Sequence, residues 1–254
     1  MTDTPLRLIA RLDIKGDWLI KGINLEGIRR VGDPAERARD YYTQGIDEIL
    51  FMDTVASLYG RSHIVQVLRR TAAEVFVPLT VGGGVRSAGD AQKLIRSGAD
   101  KVAVNSAAVE RPQLLGDISR EFGRQAVVLS IEALRRSDTH WEVMTNHGRQ
   151  ATGLDCVAWA IEAQRLGAGE ILVTSVDRDG TKQGFDLDLM KAINTAVPCP
   201  VIASGGLGVP SDIAELLSAT DVGAVAVGTA LHFEQYQVSD LRAVVPTSRQ
   251  ARRR

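Results

Sequence analysis

Two carboxylates open the case for chemistry. Asp13 and Glu132 each close a short apolar run, RLIARLDI (7–14) and AVVLSIE (126–132). Two carboxyls at strand ends, facing each other across one mouth, can act on a substrate as general acid and general base. Their surroundings decide which of them keeps its proton. Taken singly, each also reads as a loop carboxylate or a helix cap. What joins them is recurrence. Asp13 matches Glu132 at a shift of 119 residues and Asp53 matches Asp177 at 124. Thr80-Val81-Gly82-Gly83 matches Ala203-Ser204-Gly205-Gly206 at 123, as Val104-Asn105-Ser106 matches Val227-Gly228-Thr229. Four matches, in order and at nearly one offset, indicate a duplicated half.

The same repeat carries an anion-binding signal. Gly82, Gly83 and Gly84 follow one apolar run, and Gly205 and Gly206 follow another. Glycine lets backbone N–H groups approach a phosphate closely, and a following helix N-terminus adds positive potential. Asn105-Ser106 and Gly228-Thr229 are placed to complete each cradle, with Thr174 and Ser204 at neighbouring run ends. One glycine run alone is a tight turn as readily as a cradle. Two related cradles point to a long substrate with a phosphate at each end. Asp177, Arg178, Asp179 and Gly180 begin a further loop. There Asp179 and Gly180 can orient substrate hydroxyls, or the segment is a solvated turn. Lys15 and Lys21 flank Gly16-Asp17 after the first run. This segment reads either as a lid whose Lys21 reaches substrate or as an ordinary hairpin-like surface loop. His63, His140, His147 and His232 lack ligand spacing and read as non-catalytic. Trp18, Trp141 and Trp159 read as loop contacts or packing.

These groups need a frame that brings distant run ends together. Besides the two runs above, EILFMD (48–53), PLTVGGG (78–84), DKVAVNS (100–106), EILVTSVD (170–177), PVIASGG (200–206) and GAVAVGT (223–229) complete a set of eight. Continuous β-branched runs suit strands buried on both faces. Amphipathic stretches separate them. Pro34 and Gly45 bracket one as first-turn proline and terminal glycine, and 88–100 and 154–170 repeat the ending. Eight strand–helix units in 254 residues predict a (β/α)8 TIM barrel, an α/β fold whose chemistry sits at the C-terminal strand ends. An open doubly wound sheet would need a glycine fingerprint after its first strand, and RLDIKGD has none. The barrel is assigned to 1–238, and 239–254 to a C-terminal helix remnant and basic tail.

Composition excludes several classes. Thirty basic and 31 acidic residues leave a net charge of -1, which gives no global field for nucleic acid or a membrane surface. Two cysteines, Cys156 and Cys199, do not make a disulfide framework and fit a reducing, cytoplasmic compartment. No CxxC or HExxH spacing supports a metal, and no cofactor is expected. The N-terminus has no signal-peptide run, and no stretch approaches a membrane span of ~20 apolar residues.

The strings RLIARLDIKG, GDP (32–34), GIDEILFMD, TVGGG, GADKVAVNSAAV, TSVDRDGTKQGFD and VIASGG together resemble the cyclase subunits of imidazole glycerol phosphate synthase, from about Arg7 to about Phe233. The resemblance implies a heterodimer with a glutaminase (glutamine amidotransferase) subunit, whose ammonia crosses the barrel to the active site. It implies closure of an imidazole ring on a phosphoribulosyl-formimino carboxamide ribotide, with release of aminoimidazole carboxamide ribotide, in histidine biosynthesis. It makes Asp13 the main acid–base residue. Arg7, Glu48, Lys101 and Glu170 become the ring that admits ammonia, and Asp100 becomes a contact with the glutaminase. On physical grounds alone these polar strand starts read as a stabilising ion-pair network.

The chain also departs from that pattern. Glu132 stands where aspartate is usual, a displacement of roughly 1.5 Å where catalytic placement must hold to about 0.5 Å. Arg11 stands where a small cysteine is common. Asn146-His147-Gly148 replaces a small hydroxyl near the phosphate turn. RLDIKG, NLEGIRR and SLYGR look like a divergent branch associated with surface-polysaccharide sugars. That keeps open a paralogue that delivers channelled ammonia to another acceptor such as a sugar nucleotide. Two further alternatives stand beside it. One is the related half-barrel ribotide isomerase, against which the charged ring argues. The other is a non-catalytic, phosphate-binding scaffold for a glutaminase.

Overall fold

A computed structural model describes residues 5–54 and 64–249. His63, the SLYGR string (57–61) and the last five residues of the basic tail lie outside them. The eight apolar runs become eight parallel strands: β1 (Arg7–Lys15), β4 (Glu48–Asp53), β5 (Leu79–Gly82), β6 (Lys101–Val104), β7 (Val127–Ser137), β10 (Glu170–Ser175), β11 (Val201–Ser204) and β12 (Ala224–Val227). They pair in chain order. β12 returns to β1, and β7 pairs β10, so the sheet closes on itself. Closure removes every free strand edge from the ring.

Helices cover the outside because their apolar stripes must meet the sheet. α1 (Pro34–Thr43) starts as expected. Pro34 supplies the first turn, and the Asp33 carboxylate accepts the N–H groups of Ala35 and Glu36, a cap worth about 1 kcal/mol. Ala38 and Tyr41 are its buried face. Inside the ring, Ile9, Leu50, Ala103, Val128, Leu172, Ile202, Ala224 and Ala226 form a separate apolar layer, none more than 3% exposed. Each large member contributes roughly 1.5–3 kcal/mol by burial.

Two strands run past the ring. β1 continues into an antiparallel hairpin with β2 (Trp18–Ile23) and β3 (Glu26–Gly32). β7 does the same with β8 (His140–Thr145) and β9 (Gln150–Asp155). Asp13 and Glu132 are therefore not strand ends, as the sequence suggested. They sit where a strand leaves the ring and finds an antiparallel partner, Asp13 opposite Ile20 and Glu132 opposite Met144. Both hairpins turn on successive left-handed residues, Asn24-Leu25 in the first and Asn146-His147-Gly148 in the second.

Strand register refines the repeat. Ile9 pairs Glu48 as Val128 pairs Glu170, which keeps Asp13 level with Glu132. Ile49 pairs Leu79 as Ile171 pairs Val201, so the third and seventh barrel strands correspond at a shift of 122, not 123. Gly83 and Gly84 are thus the counterparts of Gly205 and Gly206, and all four have positive φ. The second and sixth barrel strands share this shift, which sets Asp53 level with Ser175 rather than Asp177.

Candidate active site

The C-terminal end of the ring collects nearly all the polar residues singled out above. On β1, the buried Arg11 guanidinium donates from Nε to Asp13 Oδ1 at 3.0 Å. Its Nη1 crosses the bore to Thr174 Oγ1 on β10 at 2.7 Å and Ser204 Oγ on β11 at 3.2 Å. Lys21, carried in by β2, lies 3.4 Å from the other Asp13 oxygen and 3.1 Å from both oxygens of Asp179. All of these side chains are buried. The segment after β1 is thus a hairpin, but not an ordinary surface loop. Its Lys21 is one of the most enclosed charges in the chain. The hairpin is tied down by Asn24 N–H donating to Asp179 O at 2.7 Å.

Glu132 has fewer partners. Its Oε2 accepts the Gly148 N–H at 2.8 Å, and its Oε1 stands 4.0 Å from His147 Nδ1. The electrostatics separate the two carboxyls. Burial alone would raise Asp13, but Arg11 and Lys21 overcome it and hold the group well below the usual carboxylate range. At Glu132 burial wins over the Gly148 N–H and Arg11, with Asp13 and Asp179 adding to the rise, and its pKa reaches about 7. Burial lowers the pKa of His147, whose imidazole is mainly neutral near pH 7.

The two cradles flank this centre. One opens into a cavity of about 260 Å³ whose lining includes Gly83, Gly84, Asn105, Ser106 and Glu132. The other, lined by Asp179, Gly180, Gly205, Gly206, Gly228 and Thr229, encloses about 20 Å³. Arg11 lines both. A Cβ on Gly83 would lie 2.4 Å from Asp53 O, and one on Gly206 would lie 2.1 Å from Gly184 O. Only glycine fits these turns. Asn105 donates to Met144 O, which leaves its buried Oδ1 without a partner among the described residues. That atom is an acceptor available to a ligand donor.

At the opposite end, Arg7, Glu48, Lys101 and Glu170 each open a strand. They form a ring of alternating charge. Arg7 meets Glu48 at 2.7 Å and Glu170 at 3.0 Å, and Lys101 meets the same two carboxylates at 3.0 and 3.1 Å. The apolar layer lies between this ring and Arg11.

Comparison with known proteins fixes the frame for this geometry. Residues 7–237 match the family described as "Histidine biosynthesis protein". The chain belongs to this family. It is 59% identical, over 80% of its length and 96% of the relative's, to "Imidazole glycerol phosphate synthase subunit HisF" of Legionella pneumophila. It is 47% identical, over 94% of each chain, to the protein of the same name from Thermobifida fusca. Family membership agrees with the barrel.

Within this family frame the individual candidates divide clearly. Asp13, Lys21, Thr174, Asp179 and Ser204 meet around Arg11, while Glu132 faces them from β7. Asp177 is drawn away, exposed and accepting the Arg135 N–H at 2.8 Å. Asp100 accepts the Leu79 N–H at 2.8 Å at the foot of the barrel, a bond that helps hold β5 beside β6. Sequence reasoning set Asn146-His147-Gly148 near the phosphate turn but missed that His147 and Gly148 meet Glu132. The signal that finds them is the second hairpin, whose turn delivers both to Glu132. Trp141 and Trp159 are buried in the outer packing, Trp18 lies exposed on β2 beneath Arg30, and His140 is engaged with Asp155. Among the described residues no cluster of His, Cys, Asp and Glu could hold a metal, and no helix is long and apolar enough to cross a membrane.

Proposed function

We propose that this chain is the cyclase subunit of an imidazole glycerol phosphate synthase. It forms imidazole glycerol phosphate and aminoimidazole carboxamide ribotide from a phosphoribulosyl-formimino carboxamide ribotide, using ammonia from a partner glutaminase. The observation that carries the reading is the axial order of the barrel. The charged ring sits at the foot, the apolar layer in the bore, and two carboxyls at the mouth between two glycine cradles. Neutral ammonia can traverse an apolar layer that strongly disfavours ammonium, because an unpaired ion pays heavily for leaving water.

The cradles would grip the terminal phosphates through backbone N–H groups of Gly83, Gly84, Gly205, Gly206 and their neighbours Asn105, Ser106, Gly180, Gly228 and Thr229. That grip would stretch the ribotide over Asp13 and Glu132, whose carboxyls would together meet the charge and proton changes that ring closure needs. Asp179 and Lys21 border this centre, with Thr174 and Ser204 beneath it. Arg7, Glu48, Lys101 and Glu170 would gate ammonia, and Asp100 would lie at the glutaminase face. A partner-free isomerase has no use for such a foot.

The test supplies purified chain with the formimino ribotide and ammonium salt, and follows loss of substrate absorbance. Turnover should require ammonia and fall by about 10²-fold or more in Asp13→Asn. Ammonia-independent isomerisation of the preceding ribotide, or unchanged turnover in that variant, contradicts the proposal.

A further inference from the structure

The duplication built two equivalent carboxylates, but their surroundings are not equivalent. Two residues before Asp13 stands Arg11; two residues before Glu132, at the corresponding strand position, stands Ser130. One residue after the hairpin partner of Asp13 stands Lys21; one residue after the partner of Glu132 stands Thr145. At both twin positions a cation in the first half is replaced by a hydroxyl in the second. From this asymmetry we infer that Arg11 is a positioning residue which, with Lys21, clamps Asp13 as a lasting anion and leaves proton transfer to Glu132.

The geometry supports each half of that division. Both Asp13 oxygens face cations, Arg11 Nε at 3.0 Å and Lys21 Nζ at 3.4 Å. Thr174 and Ser204 anchor the far side of the guanidinium, so it cannot swing away without abandoning bonds from three strands. Asp179 completes the charged surroundings of Lys21, and the His147 imidazole faces Asp13 from the β8–β9 turn. A carboxylate held in this way is a weak base, suited to stabilising positive charge on the reacting nitrogen. Glu132 is faced by Arg11 and Asp13 from β1, by Asp179 from the loop after β10, and by His147 and the Gly148 N–H from the β8–β9 turn. No Lys or Arg among the described residues forms a salt bridge with it. The upward shift at Glu132 and the downward shift at Asp13 agree with this reading.

The proton count closes on Glu132 alone. As ammonia bonds to the carbonyl carbon, the carbonyl π electrons move onto oxygen and the nitrogen becomes cationic. Glu132 carries two protons in turn from that nitrogen to the oxygen: the first converts the alkoxide to a hydroxyl, and the second is given up by nitrogen as the hydroxyl departs with the C–O electron pair and becomes water. The net change is ammonia plus C=O giving C=N–H plus water, with Glu132 restored.

The inference rests on the proposed reaction only for its kinetic arm. The deciding measurement is carbon-13 NMR of Asp and Glu carboxyls in the ligand-free chain, titrated from about pH 4 to 9, with Asp13→Asn and Glu132→Gln as assignments. The Glu132 signal should move with a midpoint near 7, and the Asp13 signal should stay flat. In Arg11→Met, Asp13 should begin to titrate inside the window, and Arg11→Lys should keep it flatter. Should Arg11→Met fail to fold, Lys21→Met puts the same question to Asp13. An Asp13 signal that titrates near neutrality in the unaltered chain, or that stays flat in Arg11→Met or its substitute, overturns the inference.

The kinetic arm follows kcat against pH at constant free ammonia. It should show an ionisation near 7 that vanishes in Glu132→Gln, and a new acidic ionisation in Arg11→Met. Persistence of the neutral ionisation in Glu132→Gln overturns the inference as well. A chain that never turns over the ribotide contradicts the proposed reaction, while the NMR titration still decides the division of roles.

Discussion

At the residue scale, Glu132 carries a stability cost that its pKa makes measurable. Unfolded, it keeps its proton only up to the ordinary value of 4.5; folded, it keeps it up to about 7. Between those values the folded chain holds more protons than the unfolded one, so stability falls as pH rises through the interval and stays low above it. A shift of that size corresponds to about 3 kcal/mol at most. Replacing Glu132 with Gln removes the charge and retains an oxygen for the Gly148 N–H. The substitution should therefore raise the thermal midpoint by several degrees at pH 8, and by much less at pH 5, even as it lowers turnover. Each kcal/mol is about 2–4 °C for a domain of this size. Equal midpoints at both pH values would show that Glu132 is not buried as an uncompensated acid. Its identity as the second carboxylate was legible from the repeat, but its protonation was not. Protonation depends on the absence of cations at Ser130 and Thr145, and that is seen only once strand register is known.

At the element scale, one buried chain of hydrogen bonds fastens α1 and the short helix Thr229–His232 to β1. His232 Nε2 contacts Arg11 O at 2.8 Å, and Tyr41 OH contacts His232 Nδ1 at 2.8 Å. The carbonyl can only accept, so Nε2 carries the hydrogen and Nδ1 accepts from Tyr41. Burial, with Lys21 assisting, lowers the His232 pKa to about 4. The folded value lies below the ordinary 6.5. Stability is therefore complete above 6.5 and is lost as pH falls through 4, by about 3 kcal/mol at most. Urea midpoints should decline over that window in the unaltered chain and decline less in His232→Gln. Tyr41→Phe should cost about 1–3 kcal/mol near pH 7 by leaving Nδ1 unpaired, and an unchanged midpoint would place the Tyr41 contact outside the stabilising set. Elements of this kind differ in how openly the sequence displays them. The eight barrel strands are continuous apolar runs, readable because both of their faces are buried. The β8–β9 hairpin is not readable that way. β9 is largely exposed and lacks apolar alternation, and its turn puts Asn146 and His147 at positive φ before the glycine, Gly148, is reached. Missing that one hairpin hid the contact of His147 and Gly148 with Glu132 and made Glu132 look like a strand end.

At the scale of the whole molecule, the barrel presents two faces with opposite needs. Under the proposed function the mouth would enclose a charged substrate, and the foot would receive ammonia without losing it to water. The foot is therefore where a partner would have to seal. Phe76 lies in the segment leading into β5, on the face where Arg7, Glu48, Lys101 and Glu170 begin their strands. It is 77% exposed, touching the Tyr42 ring edge-on with centroids 6.2 Å apart. A large aromatic side chain held in water on such a face gains most when a second protein covers it, and such residues often dominate binding energy. Phe76→Asp removes no buried contact from the barrel core, so folding and ammonium-driven turnover should be unchanged. Affinity for the glutaminase should fall by about 30-fold, in line with the loss of roughly 2 kcal/mol expected of a central interface aromatic. Glutamine-driven turnover at limiting partner concentration should fall in step and recover when partner is added in excess. Isothermal titration of the two subunits together with the two assays reads this directly. If affinity is kept while ammonium-driven turnover drops, the exposed ring belongs to the fold of the foot, and the seal must be sought elsewhere around the charged ring.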